Sequence, residues 1–562
     1  MFRKITSGIK WLVIVLTVLF LFEELIRVLT YVIDQWGILH AFIDGAVLYK
    51  IGEFIILVPF LLLVHFNGLG KSESLEKYIN KVRWLFWTGG LLNFLAAFDL
   101  FGRVDWAWWT ILLIILSLSA PFMLKRWITK KVKWSSYIVS TLLFILFLLY
   151  YGISFLSSGY FIAPLPASHP SPADTESGRW QQDLRYLETE LPRLHLNAFH
   201  TVSQQDFEKE ATRLDSLIPH LKTYEIKAGF EKLVAMIGDG HTQFDWFGSS
   251  VSNRYPLRLY WFSDGLFVAA TDSSIAQLLE AHLLGIGSMA TDQAFKEVCQ
   301  LIPNESNGFL LQKSQQLLTD ANKLFYLGII DSIGGAVFTF ETKTGDTIVY
   351  PLSSDPKYNN SSSFCRTDKI PLYKSNPDSE FWSKYFKELN TLYLKYNTFM
   401  NPVSFPKFSN EFWKMVDDSL VEFVIVDFRS NSGGASFAFD SFFQSILNHP
   451  DINRKNNLFV LVDRVTFSSA TLYAVILRRD TKALLVGEDM GGGVNHYGDV
   501  RTFKLPNSGI RISYCVQYFE SWPDSLPPFD IDIKIMPSSD ELFEGEDPVL
   551  DSVFQLIEMN QQ

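Results

Sequence analysis

Hydrophobic positions divide the chain into two regimes. Over the first 160 residues they run almost unbroken, in five stretches at roughly Ile9–Ile33, Ala46–Phe66, Trp84–Leu100, Trp106–Leu124 and Tyr137–Leu156. Each is near the about 20 apolar residues that a helix needs to cross the hydrocarbon core of a bilayer. The first run is too long for a signal peptide, lacks a small-residue cleavage site and is followed by four more. The pattern predicts an N-terminal all-α membrane domain of five spanning helices over residues 1–160. Twelve Lys and Arg flank the ends that would share one side with the N-terminus, against Lys50 and Arg103 on the other. That asymmetry places the N-terminus in the cytoplasm and everything after Leu156 outside, as an integral membrane protein. Glu23, Glu24, Arg27 and Glu53 lie in or near these stretches and read as helix-end or paired groups, Glu23 and Arg27 at i, i+4.

Beyond residue 160 the periodicity changes. Residues 161–178 contain APLPASHPSPADTES, a Pro- and Ser-rich linker. From 179 to 245, LRYLETELPRLH, FEKEATRLDSLIPHL and IKAGFEKLVAMI repeat apolar residues at three and four, predicting a helical subdomain. It ends at Gly238-Asp239-Gly240-His241-Thr242. Residues 250–345 read as a compact mixed module: YPLRLYWFSDGLFVAA predicts two strands around an Asp-Gly turn, and LLGIGSMATDQAFKEVCQLI a strand, turn and helix. A hairpin follows at FTFETKTGDTIVYPL. In residues 346–562, TLYLKYNTF, FVIVDF, LFVLVD and ALLVGE are buried-strand patterns separated by loops and helical stretches, which predicts an α/β core with its chemistry at strand ends.

Charge follows the same division. Residues 1–160 carry 15 Lys/Arg and 9 Asp/Glu, so against a net −11 for the chain the remainder carries −17. A region that acidic does not neutralise a phosphate backbone, which excludes nucleic acid as a partner. Cys299, Cys365 and Cys515 are too few and too scattered for a disulfide framework or a zinc cluster.

Three segments carry candidate chemistry. In TFSSATLYAVIL a buried strand runs into a small-residue turn and then a helix, an arrangement that holds a serine rigidly and frees a neighbouring N–H for an oxyanion; Ser-Ser before a helix is equally an ordinary N-cap. The loop Ser430-Asn431-Ser432-Gly433-Gly434 lets backbone N–H groups approach a ligand, or simply turns a strand into a helix. His241, between small residues after a helix, suits a cleft and has the pKa of a general base; alone it is also an exposed loop residue.

Taken in order, a helical segment, GDGHT, a small mixed module, V-D-x-R-x-N-x-GG, T-x-S-S-A and V-G-E resemble the carboxy-terminal-processing, or tail-specific, serine peptidase family. The branch containing the tricorn protease core and the interphotoreceptor retinoid-binding repeats is the most similar, over about Arg179–Phe554. The resemblance implies a ClpP/crotonase-like core for 346–562 and a PDZ-like module for 250–345. By position it makes Ser468 the nucleophile, with the N–H of Ser469 and of Gly433 or Gly434 as oxyanion donors. The lysine of the bacterial processing enzymes is absent: its place after Gly487-Glu488 is held by Gly493. The tricorn-like branch implies instead His241 as base, with His496 as the alternative, and Glu520 as the late carboxylate, with Asp524 as the alternative; the branch spacing is not reproduced here.

The reading that follows is a membrane-anchored serine endopeptidase acting on extracytoplasmic polypeptides through an acyl-enzyme, with no metal or organic cofactor. A non-catalytic peptide- or ligand-binding protein on the same fold is the alternative, because fold does not fix function. Oligomeric state is not legible.

Overall fold

The computed structural model describes residues 166–245, 252–356, 358, 370–400, 404–435 and 439–562, which belong to one unit, Ala163–Gln562. The expected membrane architecture is corrected here. Among the described residues no helix is long and apolar enough to cross a membrane, and the five apolar stretches lie outside the described residues. A five-span domain and an integral-membrane location therefore form no part of the account below.

Residues 166–175 run without regular structure along the first helix, held by Tyr186 Oη donating to the Ala167 carbonyl at 2.6 Å and Gln182 Nε2 donating to Ser171 at 3.0 Å. Helices α1 (Glu176–Leu194), α2 (Gln204–Leu217) and α3 (Thr223–Ala235) follow, the first two capped by Thr175 and Ser203. Their apolar faces, with Leu187, Leu191, Phe207, Phe230 and Leu233 fully buried, form one core.

The next core belongs to an antiparallel sheet. Strands β1 (Leu257–Phe262), β2 (Gly265–Thr271), β3 (His282–Ile286) and β4 (Met289–Ala290) precede helices α4 (Thr291–Val298), α5 (Asn307–Leu317) and α6 (Ala321–Tyr326). Strands β5 (Gly335–Glu341) and β6 (Thr347–Ser353) complete it in the order β1-β2-β3-β5-β6, with β4 on β3. The hairpin that the sequence places after the module thus adds two strands to the module's own sheet, as far as Ser353.

The third core is built on a mainly parallel sheet. It contains β7 (Phe381–Phe386), β8 (Thr391–Tyr396), helix α7 (Phe405–Asp418), β9 (Phe423–Asp427), α8 (Asp440–Asn448), β10 (Leu458–Val462), α9 (Ser469–Asp480) and β11 (Leu484–Gly487). A long antiparallel hairpin, β12 (His496–Lys504) and β13 (Arg511–Phe519), leads to β14 (Ile533–Lys534), α10 (Ser539–Phe543) and α11 (Pro548–Gln561). The strand order is β14-β11-β10-β9-β8-β7, with only β7 antiparallel to its neighbour. Strand side chains alternate between faces. Val424, Val426, Val460 and Val462 pack beneath α7, α8 and α9, whereas Ile425, Phe459, Leu461 and Val486 pack against α11. Hairpin residues Phe503, Ile512 and Tyr514 close the core of α1–α3, so the first and last thirds of the described chain share one core.

One buried ionic cluster ties β9 to α11. The Arg429 guanidinium bonds Asp427 at 2.6 Å and Asp547 at 2.6 Å, and lies 4.0 Å above the Tyr373 ring. Asp547 also caps α11 by accepting from Leu550 N–H. Lys395 donates to the Arg429 carbonyl at 2.6 Å, and burial pulls its amine down to about 8. Removing one partner of a buried pair strands the other charge. Asp547→Ala is expected to cost about 3–5 kcal/mol in urea unfolding of the full chain, against near zero for an exposed control such as Asp346→Ala.

Candidate active site

The parallel strands deliver three loops to one end of the sheet. After β9 comes 428–434, after β10 comes 463–468, and after β11 comes 488–493. They are laced by backbone and short side chains. Phe467 N–H donates to the Asn431 carbonyl at 3.0 Å, and Gly492 N–H donates to the Thr466 carbonyl at 3.1 Å. Asp463 accepts the N–H of Ser430, Val465 and Thr466, each at 3.0 Å.

Ser468 sits at the N-cap of α9 with φ 53° and ψ −124°. A positive φ in a side-chain-bearing residue is strained, and strain of this kind persists only where surroundings over-determine it. Here the surroundings are the glycine loop. A Cβ on Gly433 (φ 97°) would stand 2.7 Å from Ser468 Cβ and 3.0 Å from Ser469 N, and one on Gly434 (φ 135°) would stand 2.6 Å from the Phe399 carbonyl carbon. The Ser468 hydroxyl is half-buried and makes no hydrogen bond among the described residues.

The two glycines are not equivalent. Gly433 N–H already donates to Asn431 Oδ1 at 2.9 Å. Gly434 N–H has no acceptor among the described residues, and neither has Ser469 N–H, as befits the first residue of a helix. Of the three expected donors, Ser469 and Gly434 are available and Gly433 is engaged.

His241 is brought into the same cluster. Its loop is pinned to β13, Ser513 Oγ donating to the His241 carbonyl at 2.7 Å. The imidazole packs on the ring of Phe467, centroids 4.4 Å apart, and stacks on His496 at 5.6 Å. Its Nδ1 is buried without a hydrogen-bond partner, 3.9 Å from Asp239 Oδ1. Burial, only partly offset by Asp239, pushes its pKa down to about 4. Among the described residues no hydrogen bond joins it to Ser468.

Glu520 and Asp524 are not brought to His241. Both are exposed beyond β13, where their charges act on Tyr518. The carboxyls beside His241 are Asp239 and Glu305. Asp239 Oδ1 accepts the His241 N–H at 2.8 Å, and Oδ2 accepts from His195 Nε2 at 2.9 Å and from Thr242 Oγ1. Burial alone would raise Asp239, but these donors and the nearby imidazole hold it at about 2. Glu305, whose carboxyl is buried, accepts Gly493 N–H at 2.7 Å on one oxygen and Gly240 N–H on the other. Burial raises its pKa to about 8. Asp239 was legible within the GDGHT motif. Glu305, in PNESNG, carries no periodicity or motif that marks it.

Among the described residues, two groups of side chains bring possible metal ligands within 4.8 Å of one another: His195, Asp239 and Cys515, and Asp239, His241 and Glu305. The first is satisfied without an ion. His195 Nδ1 accepts the Asn197 N–H at 3.0 Å, so Nε2 carries the proton and donates it to Asp239. The second is the set with an unpartnered nitrogen. His496 uses Nδ1 on the Gly493 carbonyl at 2.9 Å, and burial lowers its pKa.

No family model matches the chain, and no curated protein matches it in sequence. Solved structures similar to it include mature CPAF, at 14% identity and TM-score 0.49, over 69% of this chain and 99% of that one. The photosystem II D1 C-terminal processing protease is similar at 12% identity and TM-score 0.33, over 68% and 97%. The tricorn protease is similar at 15% identity and TM-score 0.32, over 68% and 37%. Two of these three are proteases by name. At these identities and TM-scores no argument about this chain rests on the likeness.

The contact at Gly433 has a measurable consequence. Gly433→Ala should strain a left-handed position and overpack Ser468, lowering stability by about 1–3 kcal/mol. Urea unfolding checks it; a wild-type midpoint would mean the loops do not touch.

Proposed function

We propose that the chain is a serine endopeptidase, with Ser468 as nucleophile and His241 as base. The observation that carries the reading is the Ser468 turn: an unengaged hydroxyl on a strained residue that the glycine loop touches, with the N–H groups of Ser469 and Gly434 lacking an acceptor among the described residues. Serine nucleophiles require that combination of exposure and oxyanion donors. Ser468 Oγ would attack the substrate carbonyl while its proton passes to the imidazole. The carbonyl oxygen, now negative, would accept from Ser469 and Gly434. Collapse expels the amine, which takes the proton from His241 and leaves an acyl-Ser468. Water, deprotonated by His241, then releases the acid and restores the serine. His241 must turn from its packing on Phe467 to reach Ser468; catalytic hydrogen bonds commonly tighten only with substrate in place. Polypeptides are the substrate class, by the V-D-x-R-x-N-x-GG and T-x-S-S-A motifs.

A non-catalytic ligand-binding reading is favoured by one observation, the missing Ser468–His241 hydrogen bond. A fluorophosphonate probe separates the two. The full chain is expected to label at a single serine, with labelling lost in Ser468→Ala and slowed at least about 10³-fold in His241→Ala. Label that survives Ser468→Ala refutes the nucleophile, and absence of label on folded wild type favours the binder.

The pH profile follows from the imidazole. The base acts when neutral, and a pKa lowered to about 4 keeps it neutral well below its usual range. The acid limb of the labelling rate should therefore lie near pH 4–5, losing rate as pH falls through it. A limb near 6.5 would mean that the working imidazole is solvated.

A further inference from the structure

Glu305 belongs to neither the glycine loop nor the GDGHT loop, yet it touches both the GDGHT loop and the loop after β11. It lies between α4 and α5, at a corner that docks on the loop after β11. Ser306 Oγ donates to the Gly491 carbonyl at 2.7 Å. One residue earlier, the Glu305 carboxyl reaches into the site. Its Oε1 accepts Gly493 N–H at 2.7 Å, and its Oε2 accepts the N–H of Gly240, the residue before His241. Both glycines lie close against it, Gly240 also facing Phe467 Cε2 at 3.1 Å and Gly493 the Asn495 carbonyl at 3.0 Å, as a Cβ at each would meet them. A Cβ on Gly240 would stand 2.5 Å from Oε2, and one on Gly493 would stand 3.2 Å from Glu305 Cγ. The neighbouring Gly492 backs the nucleophile, a Cβ there standing 3.2 Å from Ser468 N. A single carboxyl therefore spans from the loop of the base to the loop behind the serine.

We propose that Glu305 is a positioning residue, a carboxyl clamp that fixes the His241 loop against the 491–493 loop and so sets the distance between imidazole and Ser468. This rests on the serine-hydrolase reading above and adds to it a contribution from the module side of the chain. The groups facing the clamp are Asp239 and His241 from the GDGHT loop and Cys515 from β13. Two backbone N–H donors are what a carboxylate satisfies, yet burial holds Glu305 protonated up to about pH 8. Ionisation above that pH strengthens both accepted bonds and places a second negative charge near the imidazole, which makes His241 a better base.

Fluorophosphonate labelling of the full chain tests it. Glu305→Gln keeps one acceptor and turns an amide group against the other N–H. Labelling should slow by about 10²-fold, as for a misplacement near 1 Å, while a cooperative melting transition persists. Gly240→Ala, at a backbone conformation open to alanine, pushes the carboxyl away from the opposite side and should slow labelling likewise, even if Glu305→Gln does not fold. In wild type the labelling rate should rise through a step near pH 8 that Glu305→Gln lacks; a merely structural residue would not produce that step. Wild-type rates and an unchanged pH profile in both variants would overturn the clamp while the serine stands. Label persisting in Ser468→Ala would instead overturn the reading beneath it.

Discussion

The site exists because a loop without a side chain touches a serine turn. Parallel strands β9 and β10 end side by side, so the loops that leave them must share the same space. Gly433 makes that possible, since any Cβ there would collide with Ser468 and with the start of α9. The contact has two results. It holds Ser468 at a φ that its side chain disfavours, and it brings the glycine loop onto the start of α9, where Ser469 Oγ donates to the Gly434 carbonyl. Open α/β sheets place their ligands outside the carboxyl ends of the strands, and this geometry is the local form of that rule.

Burial controls the electrostatics around the contact, with a different result for each group. Asp239 keeps its charge because His195, Thr242 and the His241 N–H all donate to it. Glu305 has only two backbone donors and loses its charge to burial. His241 lies between them with an unsatisfied Nδ1 and is kept neutral. Among the described residues, Asp239 and Glu305 bring carboxyl oxygens within 4.8 Å of the imidazole.

Much of the fold was legible. FVIVDF, LFVLVD and ALLVGE become β9, β10 and β11, because runs buried on both faces leave little alternative to a covered parallel sheet. The three helical patterns become α1, α2 and α3, and the Asp-Gly turn at 264–265 joins β1 to β2. The hairpin β12–β13 was not anticipated. Its sequence, HYGDVRTFK, mixes charges with apolar residues, and its buried face is defined by helices about 300 positions earlier. The places of Ser468 at a strand-to-helix turn and of His241 just after α3 were legible from the small residues that flank them. Glu305 was not: nothing local distinguishes a clamp from a solvated acid until distant glycine N–H groups close on it. Order along the family pattern points to Glu520, which stands exposed just beyond the end of β13.

The most direct test is the structure of the protein after reaction with a fluorophosphonate. The phosphorus is expected on Ser468 Oγ, with its free oxygen accepting from Ser469 and Gly434 N–H and the His241 ring turned off Phe467 toward the adduct. An adduct on another residue, or a phosphoryl oxygen pointing away from both N–H groups, would contradict the account.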